Sequence, residues 1–264
     1  MSTNAMSVRG SVFDTWLSVK FELLKHLKRR RLVILVALAL ILPLLPLIRT
    51  PDTAVQFAAN SLSFMTVLIV VSAAMFAGDA VCGEFEKKTS LLLFPTPQSR
   101  SSIFAGKYVA AMVCTFLVVS LWYLVLTVET GALYGWGEIP AEMWKSFATA
   151  LLFSTAAVGV AFLVSSVLKR SISATILVFL VLMMIMPLGV MVMTLLESEP
   201  WFIVTYSGNL ITTVLGTTSR LPMGPHGDIV QQFTPKLGTG IAVMATYAVA
   251  CLAAGMAIAV RKED

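Results

Sequence analysis

The chain has 264 residues, of which 58% are hydrophobic and only 12% are charged, and its formal net charge is +5. So little polar surface cannot cover so much apolar mass, so the composition excludes a soluble domain and predicts an integral membrane protein. The basic residues lie beside apolar segments, which favours contact with anionic lipid head groups over nucleic-acid binding. The cysteines Cys82, Cys114 and Cys251 lack short spacing, which argues against a disulfide framework or a zinc cluster.

The amino-terminal segment lacks the apolar core and the cleavage site of a secretory signal, so we expect it to be retained. Residues 11–31 have the pattern of an amphipathic helix, with Phe13, Trp16, Leu17 and Phe21 among the apolar residues at helical spacing. The polar residues of the opposite side are Asp14, Ser18, Glu22, Lys25 and Arg29. We predict an interfacial helix that ends in Lys28, Arg29, Arg30 and Arg31, with its aromatic side in the acyl boundary and its basic side at the phosphates. The alternative is a basic juxtamembrane cluster that only sets orientation.

The remaining sequence predicts a single all-α, polytopic transmembrane domain that extends over residues 1–264. The predicted spans are residues 32–48, 57–81, 103–128, 146–168, 172–196 and 239–260. Residues 197–238 contain no stretch long enough to cross a bilayer, and we expect an outer loop there with one short surface or re-entrant helix.

Two spans carry patterns that bear on packing. Gln56, Asn60 and Ser63 form a small polar stripe near the outer end of the second span. Such residues line a pathway or, more often, pack against a neighbouring helix. The last span has a ridge of small residues that favours close helix packing: Ala242, Thr246, Ala250 and Ala254.

The distribution of basic residues predicts the orientation of the chain in the cell membrane. If the amino terminus is cytoplasmic, the inner segments contain 15 of the 19 Lys and Arg residues. The outer segments contain only Arg49, Lys145, Arg220 and Lys236. The positive-inside rule therefore places both termini in the cytoplasm.

The sequence lacks the signatures of an enzyme and of a nucleotide site. A phosphate loop is absent, because Ala105-Gly106-Lys107 has neither the leading glycine nor the following hydroxyl. Zinc-protease, serine-hydrolase and paired-cysteine motifs are also absent. Asp79 is the only acidic residue within a predicted span, and it lies one turn from the inner boundary, where it can snorkel or pair with Lys87. We therefore expect any energy for transport to come from another chain.

We predict no metal site and no cofactor in this chain. Thioethers bind copper(I), but the methionines of the fifth span do not share one helical face, and methionine also fills irregular packing near a kink such as the one expected at Pro187. The five methionines are Met183, Met184, Met186, Met191 and Met193. His26 and His226 are too far apart in the predicted topology to share a metal, and we expect both to be solvated.

The segment from Gly83 to Lys107 is longer and more charged than a simple connection between two spans requires. It contains three consecutive leucines, Leu91, Leu92 and Leu93, followed by Pro95 and Pro97. These leucines lie outside the predicted spans and are therefore not buried in the bilayer. We expect them to fold back onto the membrane surface or to contact another protein. We interpret the segment as a docking element.

This loop and its flanking helices resemble the membrane subunits of ABC transporters of the type-2 permease family. The positions that match the family pattern are Gly83, Glu84, Glu86, Thr89, Leu92, Leu93, Pro97, Ser99, Arg100, Gly106 and Lys107. The glycine that the family has before Thr89 is Lys88 here. The resemblance implies that the loop forms a short coupling helix, which sits in a groove of a separate ATP-binding subunit that holds ATP and magnesium.

The resemblance also implies that two permease chains, identical or paralogous, form the pathway. Leu91, Leu92 and Leu93 would anchor the loop in the partner, while Glu84, Glu86 and Arg100 would supply orienting charge at the rim. We therefore expect an exporter permease subunit. A membrane-embedded enzyme or chaperone would need a convergent polar cluster that the spans lack. A non-transporting anchor or sensor subunit stays open as the alternative, and so does the substrate.

Overall fold

The computed structural model describes residues 2–86, 99–216 and 233–261, and it describes side chains from Asp14 onward within these ranges, Arg49 excepted. All regular secondary structure in these ranges is helical. Six helical segments are long and apolar enough to cross a membrane: Arg30–Ile48, Ala54–Glu86, Arg100–Tyr134, Glu142–Val167, Ser171–Leu195 and Leu237–Arg261. The prediction of an all-α, polytopic membrane protein is therefore confirmed.

The chain order of the α-helices is as follows. They are α1 (Ser2–Leu27), α2 (Arg30–Ile41), α3 (Ala54–Leu62), α4 (Met65–Ala77), α5 (Cys82–Glu86), α6 (Arg100–Tyr134), α7 (Glu142–Val167), α8 (Ser171–Leu180), α9 (Met186–Leu195), α10 (Val204–Gly208), α11 (Leu210–Thr213) and α12 (Leu237–Arg261). A 3₁₀ helix, Leu42–Arg49, continues α2, and a second one, Trp136–Glu138, follows α6. A π-helical segment, Val181–Ile185, joins α8 to α9.

Prolines explain where two spans depart from regular α-helix. Pro43 and Pro46 lie in the 3₁₀ helix that ends the first span. Pro187 lies in the first turn of α9, directly after the π-helical segment. A proline lacks the N–H that the preceding turn would bond, so the helix changes its hydrogen-bonding pattern at that point.

The second, third and fourth spans form the centre of the bundle. In their most apolar stretches 67%, 50% and 61% of the residues are buried, whereas the figure is 11% for both the fifth and the sixth span. Large aromatic side chains fill this centre: Phe57, Phe76, Phe104, Trp122, Phe153 and Phe162. The last two spans therefore lie at the periphery and present most of their surface outward.

The bundle has two distinct ends. At one end Arg31 pairs with Asp79, and Glu86 bonds the first residue of α8, Ser171. We call this the basic end, because Arg29, Arg31 and Lys107 also lie there. At the opposite, distal end the Tyr134 hydroxyl donates to the Pro51 carbonyl, and Ser146 donates to the carbonyl of Ile211.

Helix α1 packs along the start of α6. A Cβ added at Gly106 would lie 2.5 Å from the Cβ of Ser18 and 3.1 Å from the backbone nitrogen of Val19, so only glycine permits this approach. On the other side of α1, Trp16 and Phe21 are exposed and Leu17 is half-buried, as an aromatic side in lipid requires. Phe13 belongs to the part of α1 whose side chains are not described.

The polar side of α1 does not lie where the amphipathic pattern placed it. Glu22 and Lys25 bond residues of α5 and α6 instead of facing lipid phosphates. The prediction was wrong for these residues because a helical pattern separates two faces but does not say whether the polar face meets solvent or other charged residues of the protein.

The chain folds back into the distal end after the fifth span. Two short helices, α10 and α11, stand where one was expected, and most of their residues are buried. Gly208 lies beneath Phe153, because a Cβ there would be 2.9 Å from the ring. Gly240 of α12 lies beneath Leu210 in the same way, at 2.3 Å. Residues 217–232, which include Arg220 and His226, are outside the described part.

Two surfaces that were expected to pack against helices are exposed instead. The small ridge of α12, formed by Ala242, Thr246, Ala250 and Ala254, faces outward. The close packing of α12 on α7 uses other residues, since Gly159 approaches Ala248 and Gly255 approaches Phe162. Gln56, Asn60 and Ser63 are also exposed. Within the described residues, neither surface has a helix of this chain against it.

Candidate functional site

The structure describes only the two bases of the predicted docking loop. Gly83, Glu84 and Glu86 lie in α5, at the end of the second span, and Arg100 and Lys107 lie in the first eight residues of α6. Thr89, Leu91, Leu92, Leu93 and Pro97 lie outside the described residues. The candidate site is therefore the group of charged residues from which the loop begins and to which it returns.

Lys107 is the centre of this group. Its Nζ donates to Glu84 Oε1 at 2.6 Å and to Glu22 Oε2 at 3.3 Å. The Nζ of Lys25 donates to Glu22 Oε1 at 2.7 Å and to Glu84 Oε1 at 3.2 Å. Two ammonium groups and two carboxylates thus alternate in a closed arrangement, which we call the four-residue ion cluster. It joins α1, α5 and α6.

Three of the four members of the ion cluster are shielded from solvent, whereas the Lys25 side chain is 35% exposed. The Lys107 side chain is only 5% exposed and both carboxylate side chains are 13% exposed. Because the formal charges cancel, each group has the partner that burial requires. Charge-assisted hydrogen bonds of this kind are roughly twice as strong as neutral ones.

The pKa values of the α1 members follow from this environment. Burial acts to raise the pKa of Glu22, but the Lys107 and Lys25 ammonium groups outweigh burial, so its pKa lies below the ordinary value. Burial likewise acts to lower the pKa of Lys25, but Glu22 and Glu84 outweigh burial and raise it. Glu22 and Lys25 are therefore both charged at neutral pH.

A second ion pair ties the link between α1 and α2 to the second span. Asp79 Oδ2 accepts from Arg31 Nη1 at 2.8 Å and from Arg29 Nη1 at 3.3 Å. Arg31 Nη1 also donates to the carbonyl of Met75 at 3.3 Å. The partners of Asp79 are thus Arg29, which directly precedes the first span, and Arg31, the second residue of that span. Lys87, the partner suggested by proximity in sequence, lies outside the described residues.

His26 is buried between these two groups, and the expectation that it is solvated was wrong. It is 3% exposed, and its ring meets Phe76 edge to face with centroids 5.3 Å apart. Burial lowers its pKa to about 4, although the carboxylates of Glu22 and Asp79 act in the opposite direction. His26 is therefore neutral at pH 7 and serves as a packing residue. Among the described residues no group of three potential metal ligands exists.

Helix α5 is bonded to the fourth and fifth spans as well. The hydroxyl of Ser165 accepts from the backbone N–H of Val81 at 3.0 Å and from that of Cys82 at 3.3 Å. Glu86 Oε2 accepts from the backbone N–H of Ser171 at 2.7 Å. Sequence reasoning missed Ser165, because a single serine near the end of an apolar span carries no distinguishing signal.

The third span contains an acidic residue, Glu129, that lies one residue beyond the predicted end of this span at residue 128. Glu129 lies within α6, and both of its carboxylate oxygens are buried without a hydrogen-bond partner among the described residues. The statement that Asp79 is the only acid within a span was therefore wrong. The sequence does indicate that the span continues beyond Glu129, because the residues from Gly131 to Tyr134 are apolar or small.

Taken together, these contacts fix both bases of the loop to the rest of the bundle. The base at α5 is bonded to α1, α7 and α8, and the base at α6 is bonded to α1 and α5. A displacement of the loop therefore cannot move one span alone. What this arrangement can do is transmit a mechanical displacement.

We predict that the four-residue ion cluster is energetically coupled. Lys107→Met should lower the free energy of unfolding by about 3–5 kcal/mol, because it leaves the carboxylates of Glu22 and Glu84 to share the one ammonium of Lys25 and so leaves a net negative charge in the cluster. The double variant Lys107→Met/Glu84→Gln keeps the neutral Lys25–Glu22 pair, so its cost should be smaller than the sum of the single costs by roughly 1–3 kcal/mol. Unfolding midpoints of the purified chain in detergent measure this cycle. Additive costs would mean that the pair does not interact.

We also predict that stability falls on acidification through His26. Its pKa drops from 6.5 in the unfolded chain to about 4 in the folded one, so below pH 6.5 the unfolded state binds more protons and the free energy of unfolding declines. The loss should reach about 2 kcal/mol at pH 5 and be complete below pH 4. Glu22, whose pKa is lowered, adds its own loss only below about 4.5.

His26→Phe is the matched variant for this test, because it keeps a ring against Phe76 and cannot titrate. Unfolding midpoints measured between pH 7.5 and 5 should depend less on pH in the variant than in the parent chain. Parallel pH profiles for the two chains would show that His26 is not the group responsible.

The chain was compared with known proteins, and no curated protein matches it. One protein family does match, and its description is "Protein of unknown function (DUF2705)". The match extends over residues 33–264, from the first span to the last residue, and leaves out α1. The chain therefore belongs to the DUF2705 family.

Proposed function

We propose that this chain is the permease subunit of an ATP-driven ABC transporter, and that a separate subunit binds and hydrolyses ATP with magnesium. The observation that carries the proposal is the attachment of the loop's two bases to one four-residue ion cluster. A loop that receives force from a partner needs such an attachment, because a flexible base would absorb the displacement. The resemblance of residues 83–107 to the coupling segment of type-2 permeases supports the same conclusion.

The cluster and its neighbours give the displacement a defined route. Lys107 connects the loop to the third span, and Glu86 connects it to the fifth span through Ser171. Ser165 connects α5 to the fourth span. Several spans thus move together when the loop moves, and this concerted movement is what a change between inward-facing and outward-facing states requires.

We propose that a second permease copy, identical or paralogous, completes the pathway. The polar stripe of Gln56, Asn60 and Ser63 is exposed on an otherwise apolar span, and polar groups that face lipid are costly. The small ridge of α12 is also exposed and suits close approach of another helix. A partner chain would cover these surfaces.

We propose an exporter in the cell membrane with its basic end in the cytoplasm. The excess of Lys and Arg on that side supports the orientation. Export fits the distal side, because even the longest outer segment between spans, residues 197–238, is too short for a receptor domain that would deliver a substrate for uptake.

The docking part of the proposal predicts that an ATPase co-purifies with the chain from its native membrane and that Leu92→Asp/Leu93→Asp abolishes this association. Charged residues cannot replace apolar anchors in a partner groove, so retention should fall at least tenfold. The measurement is ATP hydrolysis and partner recovery after affinity purification. ATP-driven accumulation in vesicles that contain both subunits then separates a transporter from an anchor subunit.

The matched control for this test is Gly137→Asp at the distal end. A Cβ at Gly137 meets nothing within 4 Å, so the fold tolerates the change, and it adds a negative charge far from the loop. The control should retain the ATPase. An ATPase that stays bound to the Leu92→Asp/Leu93→Asp chain would refute the docking role of the leucines.

The orientation predicts that a cysteine at Ser90 is protected from an impermeant thiol reagent in intact cells and becomes reactive after lysis. Gly137→Cys, at the distal end, should react in intact cells. The parent chain is the background control, because Cys82 and Cys114 are buried and Cys251 is half-buried. Labelling of Ser90→Cys from outside would reverse the orientation and overturn the proposed function.

A further inference from the structure

A cavity of about 500 Å³ opens at the basic end, beside the link between α1 and α2. Its volume lies within the range of pockets that hold small ligands, roughly 300–1,000 Å³. Arg29, Arg30 and Arg31 line it from one side, and Asp79, Glu86 and Ile172 line it from the other. It therefore lies where the first, second and fifth spans meet the membrane surface.

The charges of the cavity do not cancel one another. The carboxylate of Asp79 accepts hydrogen bonds from Arg29 and Arg31, and the carboxylate of Glu86 accepts one from the backbone N–H of Ser171. Arg30 is exposed and has no hydrogen-bond or ion-pair partner among the described residues. Three guanidinium groups and two carboxylates line the cavity, so the lining has one net positive charge, and Arg30 is the arginine that no carboxylate of the described residues contacts.

We propose that this cavity binds the phosphate head group of an anionic membrane lipid, and that Arg30 contacts the phosphate. A guanidinium presents a planar fork of donors that matches two phosphate oxygens. Lipid phosphates lie at the level of residues that directly precede a span, so the ligand is present at high local concentration. Asp79 is neutralised by its two arginines, and although Glu86 keeps its negative charge, the net positive charge of the lining favours the phosphate.

Apolar residues beside the cavity identify the ligand as a lipid rather than free phosphate. Ile172 lines the cavity and is 71% exposed, and Ile176 is exposed one turn further along α8. On α2, Val33 and Ile34 are exposed directly after the arginines. Acyl chains can extend along these surfaces into the bilayer while the head group remains at Arg30. Inorganic phosphate has no apolar part that could pack against these surfaces.

The bound lipid would connect the first span with the fifth. Arg30 begins the first span, and Ile172 is the second residue of the fifth. A head group between them bridges the two spans at the point where Asp79 and Glu86 end the second. This inference holds whether or not the chain is a permease.

The test compares lipid retention by the full-length chain in detergent, measured by native mass spectrometry after addition of phosphatidylglycerol or phosphatidylcholine. We expect the parent chain to retain phosphatidylglycerol preferentially. Arg30→Gln should weaken that retention about fivefold or more, the effect of one basic residue near an anionic surface. Because Arg30 has no partner within the described structure, the variant should keep its fold, which size-exclusion chromatography verifies.

Lys28→Gln is the matched control. Lys28 is exposed, belongs to the same basic run, carries the same charge and does not line the cavity. It should retain phosphatidylglycerol as the parent does. Equal loss in both variants would mean non-specific attraction to the basic run and would refute the site. Displacement of the lipid by equimolar inorganic phosphate would refute a lipid ligand, and absence of any preference for phosphatidylglycerol would refute the proposal as a whole.

Discussion

The rest of the structure depends on the burial of Lys107 between two carboxylates. A lysine ammonium at 5% exposure is unfavourable unless its charge is compensated, and Glu84 and Glu22 compensate it from two different helices. Because these partners come from different helices, the contact holds α1 and α5 against α6. Lys25 completes the balance for the second carboxylate. A purely apolar contact between these helices would be equally compact but would allow them to slide.

The contacts of Lys107 also explain the position of α1, which packs along the bundle although it is not one of the membrane-spanning helices. Gly106 lets its backbone approach α6, and the ion cluster sets its position along the helix axis. Trp16 and Phe21 are exposed on the side of α1 that the cluster leaves free. His26 closes the contact by meeting Phe76 of the second span. One helix thus joins the membrane interface to the loop bases.

The spans were predictable from the sequence because length and apolar composition decide whether a segment crosses a bilayer, and both can be counted. The site was predictable only in part. Glu84 and Lys107 were selected as members of a loop pattern, but their direct contact was not, since 23 residues separate them and no periodicity relates them. Glu22 and Lys25 were assigned to the lipid surface because amphipathicity is silent about what the polar face meets. Glu129 was missed because its span is longer than the minimum that the bilayer requires.

Ion pairs between different spans distinguish the basic end of the bundle from its distal end. The distal end includes neutral contacts, as in the bond from Ser146 to Ile211, and a bond from the Tyr206 hydroxyl to the Glu199 carboxylate. The basic end is built from charges whose partners come from different spans, so any change that supplies or removes a charge there alters several spans together. The docking subunit and the lipid head group that we propose, and a proton on His26, are three such changes. The basic end is therefore the end of the bundle at which a change of charge would act on several spans.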